Sequence, residues 1–341
     1  MKKVKTVDAV GLTLCHDITE VRDGFKGRAF QRGHIVTEKD VSRLLDLGKK
    51  HVYIWDPQAG EIHEEDAALR LAAMAPVDGA EYSGPVEGKM TLTATRDGMF
   101  SVNKPLLNEI NQIGEVTIAT LPDHYPVTKG QKLCGLRIVP LVCQENEVIK
   151  AEEITASSTR PLMEVIPYRE ELPVGIIVTG SEVFSGRIRD KFEPVIRAKV
   201  AAFHADVLGC IFCDDDLSML TSAIEKWKER GAKLIIMTGG MSVDPDDLTP
   251  TAIRSVGAEV VTQGVPAQPG NMFTVAYLDD ITILGVPGAA IHAKTTMLDV
   301  VLPQAFTGVR FTRADLRCLG AGGLCQNCES CRWPNCTFGR Y

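Results

Sequence analysis

The stretch MTGGMSVDPDDLTP, residues 237–250, follows the apolar run KLII and sets two glycines close to three aspartates. Gly239 and Gly240 remove side chains where a backbone needs a left-handed conformation or a close approach to a ligand. Their amides could cradle a phosphate. Asp244, Asp246 and Asp247 supply hard oxygen ligands of the kind that hold Mg²⁺, which needs only one or two carboxylates beside substrate phosphates. Glycines plus acids predict a metal-assisted phosphate or pyrophosphate site. The plainer alternative is an ordinary loop in which Asp247 favours the start of the next helix. A second acidic run, Asp214, Asp215 and Asp216, reads as a helix cap at Asp216. Asp214 and Asp215 remain as further candidate metal ligands.

The cysteines form another constellation. Of ten, Cys15, Cys134, Cys143, Cys210 and Cys213 are scattered, whereas Cys318, Cys325, Cys328, Cys331 and Cys336 crowd the last 24 positions. Cys325, Cys328 and Cys331 keep Cys-x-x-Cys-x-x-Cys spacing, which lets neighbouring thiolates converge on one metal or cluster. In a reducing compartment the cluster points to metal in preference to disulfides. The triple rhythm fits a [4Fe-4S] cluster better than Zn²⁺, which two separated Cys-x-x-Cys pairs would suit.

These residues need elements to position them. A chain of 341 residues is expected to form more than one domain, and 45% hydrophobic residues supply ample core. The net charge of -7 offers no general basic field, which argues against nucleic acid as partner and for a small molecule. No apolar run approaches the ~18 residues of a membrane span. The amino-terminal stretch is broken by Asp8 and lacks a small-residue cleavage site, so the expected compartment is the cytoplasm.

Residues 1–75 read as a small mixed α/β region, with a helix over TEKDVSRLLDLG opened by a Thr37–Asp40 capping box. Its basic loop RDGFKGRAFQRGH reads as solvated surface. The acidic run His63–Asp66 lacks an i, i+4 histidine pair and reads as a polar helix face. Residues 76–165 read as a β-rich domain with one short helix near KPLLNEIN, EVIKAEEI being taken as a strand. From 172 to 308 strands alternate with amphipathic helices. VGIIVTG and KLIIMTGG are buried strands; FEPVIRAKVAAFH and DLSMLTSAIEKWKERG are helices, the second presenting Leu217, Leu220, Ile224 and Trp227. Thr249 and Pro250 read as N-cap and first helical residue. A hairpin should turn at Asp279–Asp280, before a helix over 290–302. Residues 309–341 form a cysteine-rich tail.

This order implies an α/β fold with a mostly parallel sheet and helices on both faces, where ligands sit beyond the carboxyl ends of the strands. VTGSE, MTGGMS and VPGAA all fall at such ends, next to helix N-termini that favour anions.

Taken in order, VTGSEVFSGRIRD, DDD, IIMTGGMSVDPDDLTP, PAQPGN and ILGVPGAA resemble the molybdopterin-binding domain of molybdenum cofactor biosynthesis enzymes. The likeness covers roughly residues 173–308. That family has a three-layer α/β fold and includes molybdopterin adenylyltransferase and molybdopterin molybdenumtransferase. The opening VDAVGLTLCHDI is similar to the entry of the molybdenumtransferase arrangement, in which further regions precede the fold. The resemblance implies that Thr179, Gly180, Ser181 and Glu182, with Asp190 downstream, and Thr238, Gly239, Gly240, Met241 and Ser242 bind a pterin or its phosphate. It implies that Pro269, Gly270, Pro287 and Gly288 shape the pocket, and that Asp244, Asp246 or Asp247 hold Mg²⁺ or molybdate.

The chain departs from the transferase pattern S-x-G-D-x-D, P-G-K-P and P-G-N-P, reading SVDPDD, PGNM and PGAA. A lysine is missing from the anion pocket, and Arg187, Arg189 or the amino-terminal basic loop could take its task. The leading expectation is an enzyme that binds molybdopterin or its adenylylated form and inserts molybdate (or tungstate) with Mg²⁺. Altered turns favour a non-catalytic molybdopterin chaperone or sensor, and DPDDLTP a Mg²⁺-dependent nucleotide pyrophosphatase. A homo-oligomer is expected, with a molybdoenzyme or another cofactor-biosynthesis protein as partner.

Overall fold

The computed structural model of the chain describes residues 1–241 and 247–340. They form two compact units. The first comprises Met1–Arg96, Val102–Leu121 and Lys129–Glu164. Near its amino terminus, strands Lys2–Lys5 and His51–Ile54 pair antiparallel, and the hairpin Ile18–Arg22/Phe25–Phe30 packs with helix Glu38–Asp46 around Leu14, Ile18, Leu44 and Val52. The capping box at Thr37 and Asp40 is present. Two cations of the basic loop are paired, Arg28 with Asp17 at 2.8 Å and Arg32 with Glu65 and Asp66 at 2.9 Å each. The unit also holds a four-stranded antiparallel sheet of Ala80–Val86, Lys89–Ala94, Lys132–Ile138 and Val116–Thr120.

Two sequence expectations fail in this unit. EVIKAEEI lies in a helix, Glu145–Ser157, not a strand. Val148 and Ala151 are buried three residues apart, and Arg70 of helix Glu64–Met74 bonds Glu145 at 2.7 Å and Glu152 at 2.6 Å. Helical spacing of burial and good helix formers outweigh the β-branched Val148 and Ile149. The run at His63–Asp66 is no simple polar face either. His63 and Glu64 are buried, His63 accepting from the Glu65 amide at 3.2 Å and donating to the Cys15 carbonyl at 2.7 Å, while Arg137 pairs with Glu64 at 2.9 Å.

The second unit comprises Asp97–Ser101, Pro122–Thr128 and Val165 onward. Its centre is a six-stranded sheet built from β1 (Pro173–Thr179), β2 (Asp206–Cys213), β3 (Leu234–Thr238), β4 (Glu259–Gln263), β5 (Thr274–Leu278) and β6 (Ile281–Val286). The order is β2-β1-β3-β6-β5-β4. The first four strands of that order run parallel, and β5 and β4 add antiparallel pairings. The α/β class with a mostly parallel sheet is the one expected, and the β5–β6 hairpin turns at Asp279–Asp280.

Burial on both faces makes these strands near-continuous apolar runs. Ile176, Val178, Ile236 and Leu284 face one core, shared with Ile196 and Val200 of α2 (Phe192–Ala201) and with Leu298, Leu302 and Phe306 of α5 (Met297–Thr307). Ile177, Ile235, Met237 and Ile283 face the other, under α3 (Leu217–Glu229) and α4 (Thr249–Ser255). The short helix α1 (Ser181–Phe184), described below with the site, precedes α2.

Candidate functional site

The carboxyl ends of β1, β3 and β6 lie side by side, since β3 pairs with both neighbours in register up to Val178↔Thr238 and Thr238↔Val286. The turns after them are therefore neighbours, as expected for an open α/β sheet. The closest approach is between the first two. A side chain on Gly239, whose φ is +90°, would put its Cβ 2.1 Å from the Thr179 carbonyl oxygen. Glycine at 239 thus serves the contact between two turns before it serves any ligand.

The first turn is braced by acids. Asp215 accepts from the Thr179 hydroxyl at 2.9 Å and the Ser181 amide at 3.0 Å, and Asp214 accepts from the Ser181 hydroxyl at 2.5 Å. Asp214 and Asp215, candidate metal ligands by sequence, here tie the end of β2 to the start of α1. Gly180, at φ +142°, and Glu182 lie at that start, with Glu182 exposed. Asp190 accepts from the amides of Phe192 at 2.8 Å and Glu193 at 2.9 Å, which caps α2. Arg187 and Arg189 are exposed just before it.

At the second turn the Thr249 hydroxyl donates to the Gly239 carbonyl at 2.9 Å. Leu248 is the N-cap of α4 and Pro250 its second residue, so the helix starts one position earlier than predicted. The Thr249 hydroxyl anchors the glycine turn instead of capping the helix. Thr238 is fully buried, and its hydroxyl has no hydrogen-bond partner among the described residues. Met241 is buried with its thioether over Gly285 of β6. Asp247 is half-buried at the entry to α4. Ser242, Asp244 and Asp246 lie outside the described residues.

At the third turn Pro287 precedes a single 3-10 turn, Gly288–Ile291, and Gly288 is exposed with open space around its α-carbon. The helix expected over 290–302 begins only at Met297, capped by Thr296 and Asp299, and runs to the left-handed Gly308. Lys199 of α2 pairs with Asp299 there. Pro269 and Gly270 lie on the loop between β4 and β5, with Gly270 against Met297.

A helical start does follow each of the three turns, as expected, but each is short. The elements following them are a four-residue helix, a seven-residue helix and a 3-10 turn. Aligned peptide dipoles accumulate over longer runs.

The cysteines separate into two kinds. All ten are free thiols. Cys134 and Cys210 are pushed up to about 12, and Cys143 and Cys213 to about 11, by burial. The Cys331 thiol is held below the ordinary cysteine value, chiefly by its hydrogen bond with the Thr295 hydroxyl at 3.0 Å. Cys325, Cys328, Cys331 and Cys336 line one cavity of about 370 Å³. Cys318 is apart, exposed and bonded to the Asp315 carbonyl at 3.2 Å. Among the described residues no three His, Cys, Asp or Glu side chains converge tightly enough to hold a single metal ion.

Residues 175–307 match the family model described as "Probable molybdopterin binding domain". The α/β domain belongs to the molybdopterin-binding domain family. A second model, described as a domain of unknown function, matches residues 3–56. Curated relatives include a molybdopterin molybdenumtransferase of Staphylococcus aureus, 32% identical over 157 residues, which are 43% of this chain and 36% of that protein. Another, from Synechococcus elongatus, is 25% identical over 141 residues, 38% of this chain and 35% of that protein. The chain thus spans about a third of the length of these relatives. Among solved structures, the tungsten cofactor synthesizing protein MoaB from Pyrococcus furiosus is 17% identical, covering 40% of this chain and 94% of that one at a TM-score of 0.36. The molybdopterin biosynthesis enzyme MoaB from Thermus thermophilus is 22% identical, covering 39% and 90% at a TM-score of 0.32.

The part of the molybdopterin-binding domain hardest to read from the chain is its support. Thr249 as a tether, Lys199 paired with Asp299 and Thr295 beside Cys331 carry no motif. Only the threonine-proline pair hinted at one of them. No helix among the described residues is long and apolar enough to cross a membrane.

Proposed function

We propose that the α/β domain binds molybdopterin or its adenylylated form at the turns after β1, β3 and β6, and that the protein inserts molybdate in molybdenum cofactor biosynthesis. The observation that carries this reading is the junction of the first two turns in a domain of the molybdopterin-binding family. Gly239 packs on the Thr179 carbonyl, Thr249 holds Gly239, and the buried Thr238 hydroxyl beneath has no partner among the described residues. Such a junction presents backbone amides and hydroxyls on a rigid sheet edge, which suits a pterin phosphate.

Asp247, with Asp244 and Asp246 on the same segment, supplies carboxylates that suit Mg²⁺, with Asp214 and Asp215 already engaged by the first turn. Bound there, Mg²⁺ would offset negative charge on substrate phosphate. The chain's own part is to hold the pterin at the turns and to place its carboxylates beside the phosphate. The partner lysine of the transferase pattern is absent, so anion binding falls to amides and to the exposed Arg187 and Arg189.

The test is binding and turnover with purified molybdopterin, its adenylylated form, molybdate and Mg²⁺. The double variant Asp246→Asn with Asp247→Asn is expected to abolish molybdate incorporation with pterin binding retained; unchanged incorporation would sink the assignment. Tight pterin binding by the native chain with no incorporation would select a chaperone or sensor, the reading that PGNM and PGAA favour. Mg²⁺-dependent cleavage of ADP-ribose-like compounds without pterin binding would select a pyrophosphatase.

A further inference from the structure

The carboxy-terminal tail contains a built chamber that the pterin reading does not use. Cys325, Cys328, Cys331 and Cys336 line it, and Thr295 and Trp333 complete the wall. The chamber is held from both sides. The Gln268 amide donates to the Gly323 carbonyl at 2.7 Å and the Cys325 amide to the Gln268 carbonyl at 2.8 Å, so the tail is hydrogen-bonded to the loop between β4 and β5. Lys294 donates to the Glu329 carbonyl, and the Gly339 amide closes back on the Gly322 carbonyl at 3.0 Å. Phe338 is buried in the core of the domain, and Arg340 lies 4.4 Å from the centre of the Tyr125 ring.

A single Zn²⁺ would need its sulfurs to meet at one point about 2.3 Å away. Among the described residues no set does so, although all four cysteines line the same space. A space of about 370 Å³ with four cysteines in its lining matches a body of several atoms with ligands spread around it. Lys294 and Arg332 also line the chamber, and they complement the net negative charge of four thiolates around an iron-sulfur core.

We infer that Cys325, Cys328, Cys331 and Cys336 ligate one [4Fe-4S] cluster in this chamber, and that Cys318 is not a ligand. The cluster enters preassembled. Each cysteine exchanges for one small-thiol ligand of the incoming cluster: an Fe–Sγ bond forms as the Fe–thiolate bond to the carrier breaks, the cysteine proton passes to the released thiolate, and no electron moves. This site stands independently of the pterin reading.

The test uses the full chain, purified without oxygen and, in parallel, incubated with iron salt, sulfide and a dithiol. Iron and acid-labile sulfide in equal amounts at [4Fe-4S] stoichiometry, visible charge-transfer absorbance and a paramagnetic signal on dithionite reduction are expected. Cys325→Ser, Cys328→Ser, Cys331→Ser and Cys336→Ser should each lose most of the iron, whereas Cys318→Ser should keep it. One zinc per chain without sulfide, iron indifferent to the four substitutions, or a native chain that takes up no iron and sulfide would each overturn the inference. Because a serine variant could loosen the tail, cobalt(II) titration of the native chain gives a second readout. One cobalt bound tightly with thiolate charge-transfer bands would mean a single-ion site and would also overturn it.

Discussion

At the scale of single residues, Gly239 and Gly288 look alike in sequence and differ in physics. Both follow a strand in a turn of the molybdopterin-binding domain. Gly239→Ala is expected to cost at least ~1–3 kcal/mol, because φ is +90° and the new Cβ would meet the Thr179 carbonyl. Gly288→Ala should stay within ~0.5 kcal/mol, since its Cβ would meet nothing within 4 Å. Urea unfolding of both variants checks the pair, and equal midpoints would refute the argument. A different residue sets an acid dependence. His63 is held below its ordinary value of 6.5, first by burial and then by the nearby Arg32. The folded ring therefore resists a proton that the unfolded ring accepts. Stability falls as the pH drops below about 6.5 and levels once the folded ring protonates. Glu64, raised mainly by burial, works in the opposite sense. His63→Gln, which can donate and accept at the same two places, should flatten the loss between pH 7 and 5 measured by denaturant midpoint. A slope equal to that of the native chain would exclude His63 as its source.

At the scale of elements, Trp227 ties α3 to the sheet by both packing and a hydrogen bond. Trp227 is buried against the sheet and its indole donates to the Ile176 carbonyl of β1 at 3.1 Å. Trp227→Ala should cost ~3–5 kcal/mol through the cavity it leaves. Trp227→Phe should cost ~1–3 kcal/mol, because a buried carbonyl loses its donor. Thermal unfolding followed by circular dichroism distinguishes the two, and a Trp227→Phe variant as stable as the native chain would mean the hydrogen bond contributes nothing. The spacing of Leu220, Ile224 and Trp227 announced this helix, and those residues are buried; Leu217, one turn earlier on the same pattern, is exposed at the helix start. Elements whose sequence is less periodic were misplaced. Helix Glu145–Ser157 reads as a strand until Arg70 and the buried Val148–Ala151 face are in view. Helix α5 starts late because Thr296 and Asp299 form the stronger cap.

At the scale of the whole second unit, the tail is part of the α/β domain's core. Phe311, Leu316, Leu319 and Phe338 belong to the cluster that contains Leu298 and Phe306 of α5. Phe338→Ala should therefore lower the stability of the domain itself by ~3–5 kcal/mol, not merely fray the terminus. A reduced urea midpoint with one cooperative transition is expected, and an unchanged midpoint would mean that the tail unfolds on its own. The sharing of one core explains why the cysteine chamber lies beside residues 292–295 and the loop carrying Gln268.

The sequence alone determined what depends on residue type and short spacing. Two-sided apolar runs dictate buried parallel strands, helical periodicity places α3, paired glycines mark strand-end turns, and close cysteine spacing marks the tail. The ordered motifs suffice for the family of the α/β domain. Tertiary structure decided what depends on neighbours distant in the chain. It occupied Asp214 and Asp215 with the Thr179–Ser181 turn, turned Asp190 into a cap, made Thr249 the anchor of Gly239, and gathered four of the five tail cysteines while leaving Cys318 outside. Hydrogen bonds and packing between segments tens of residues apart leave no periodic mark in either segment, and only the folded chain brings them together.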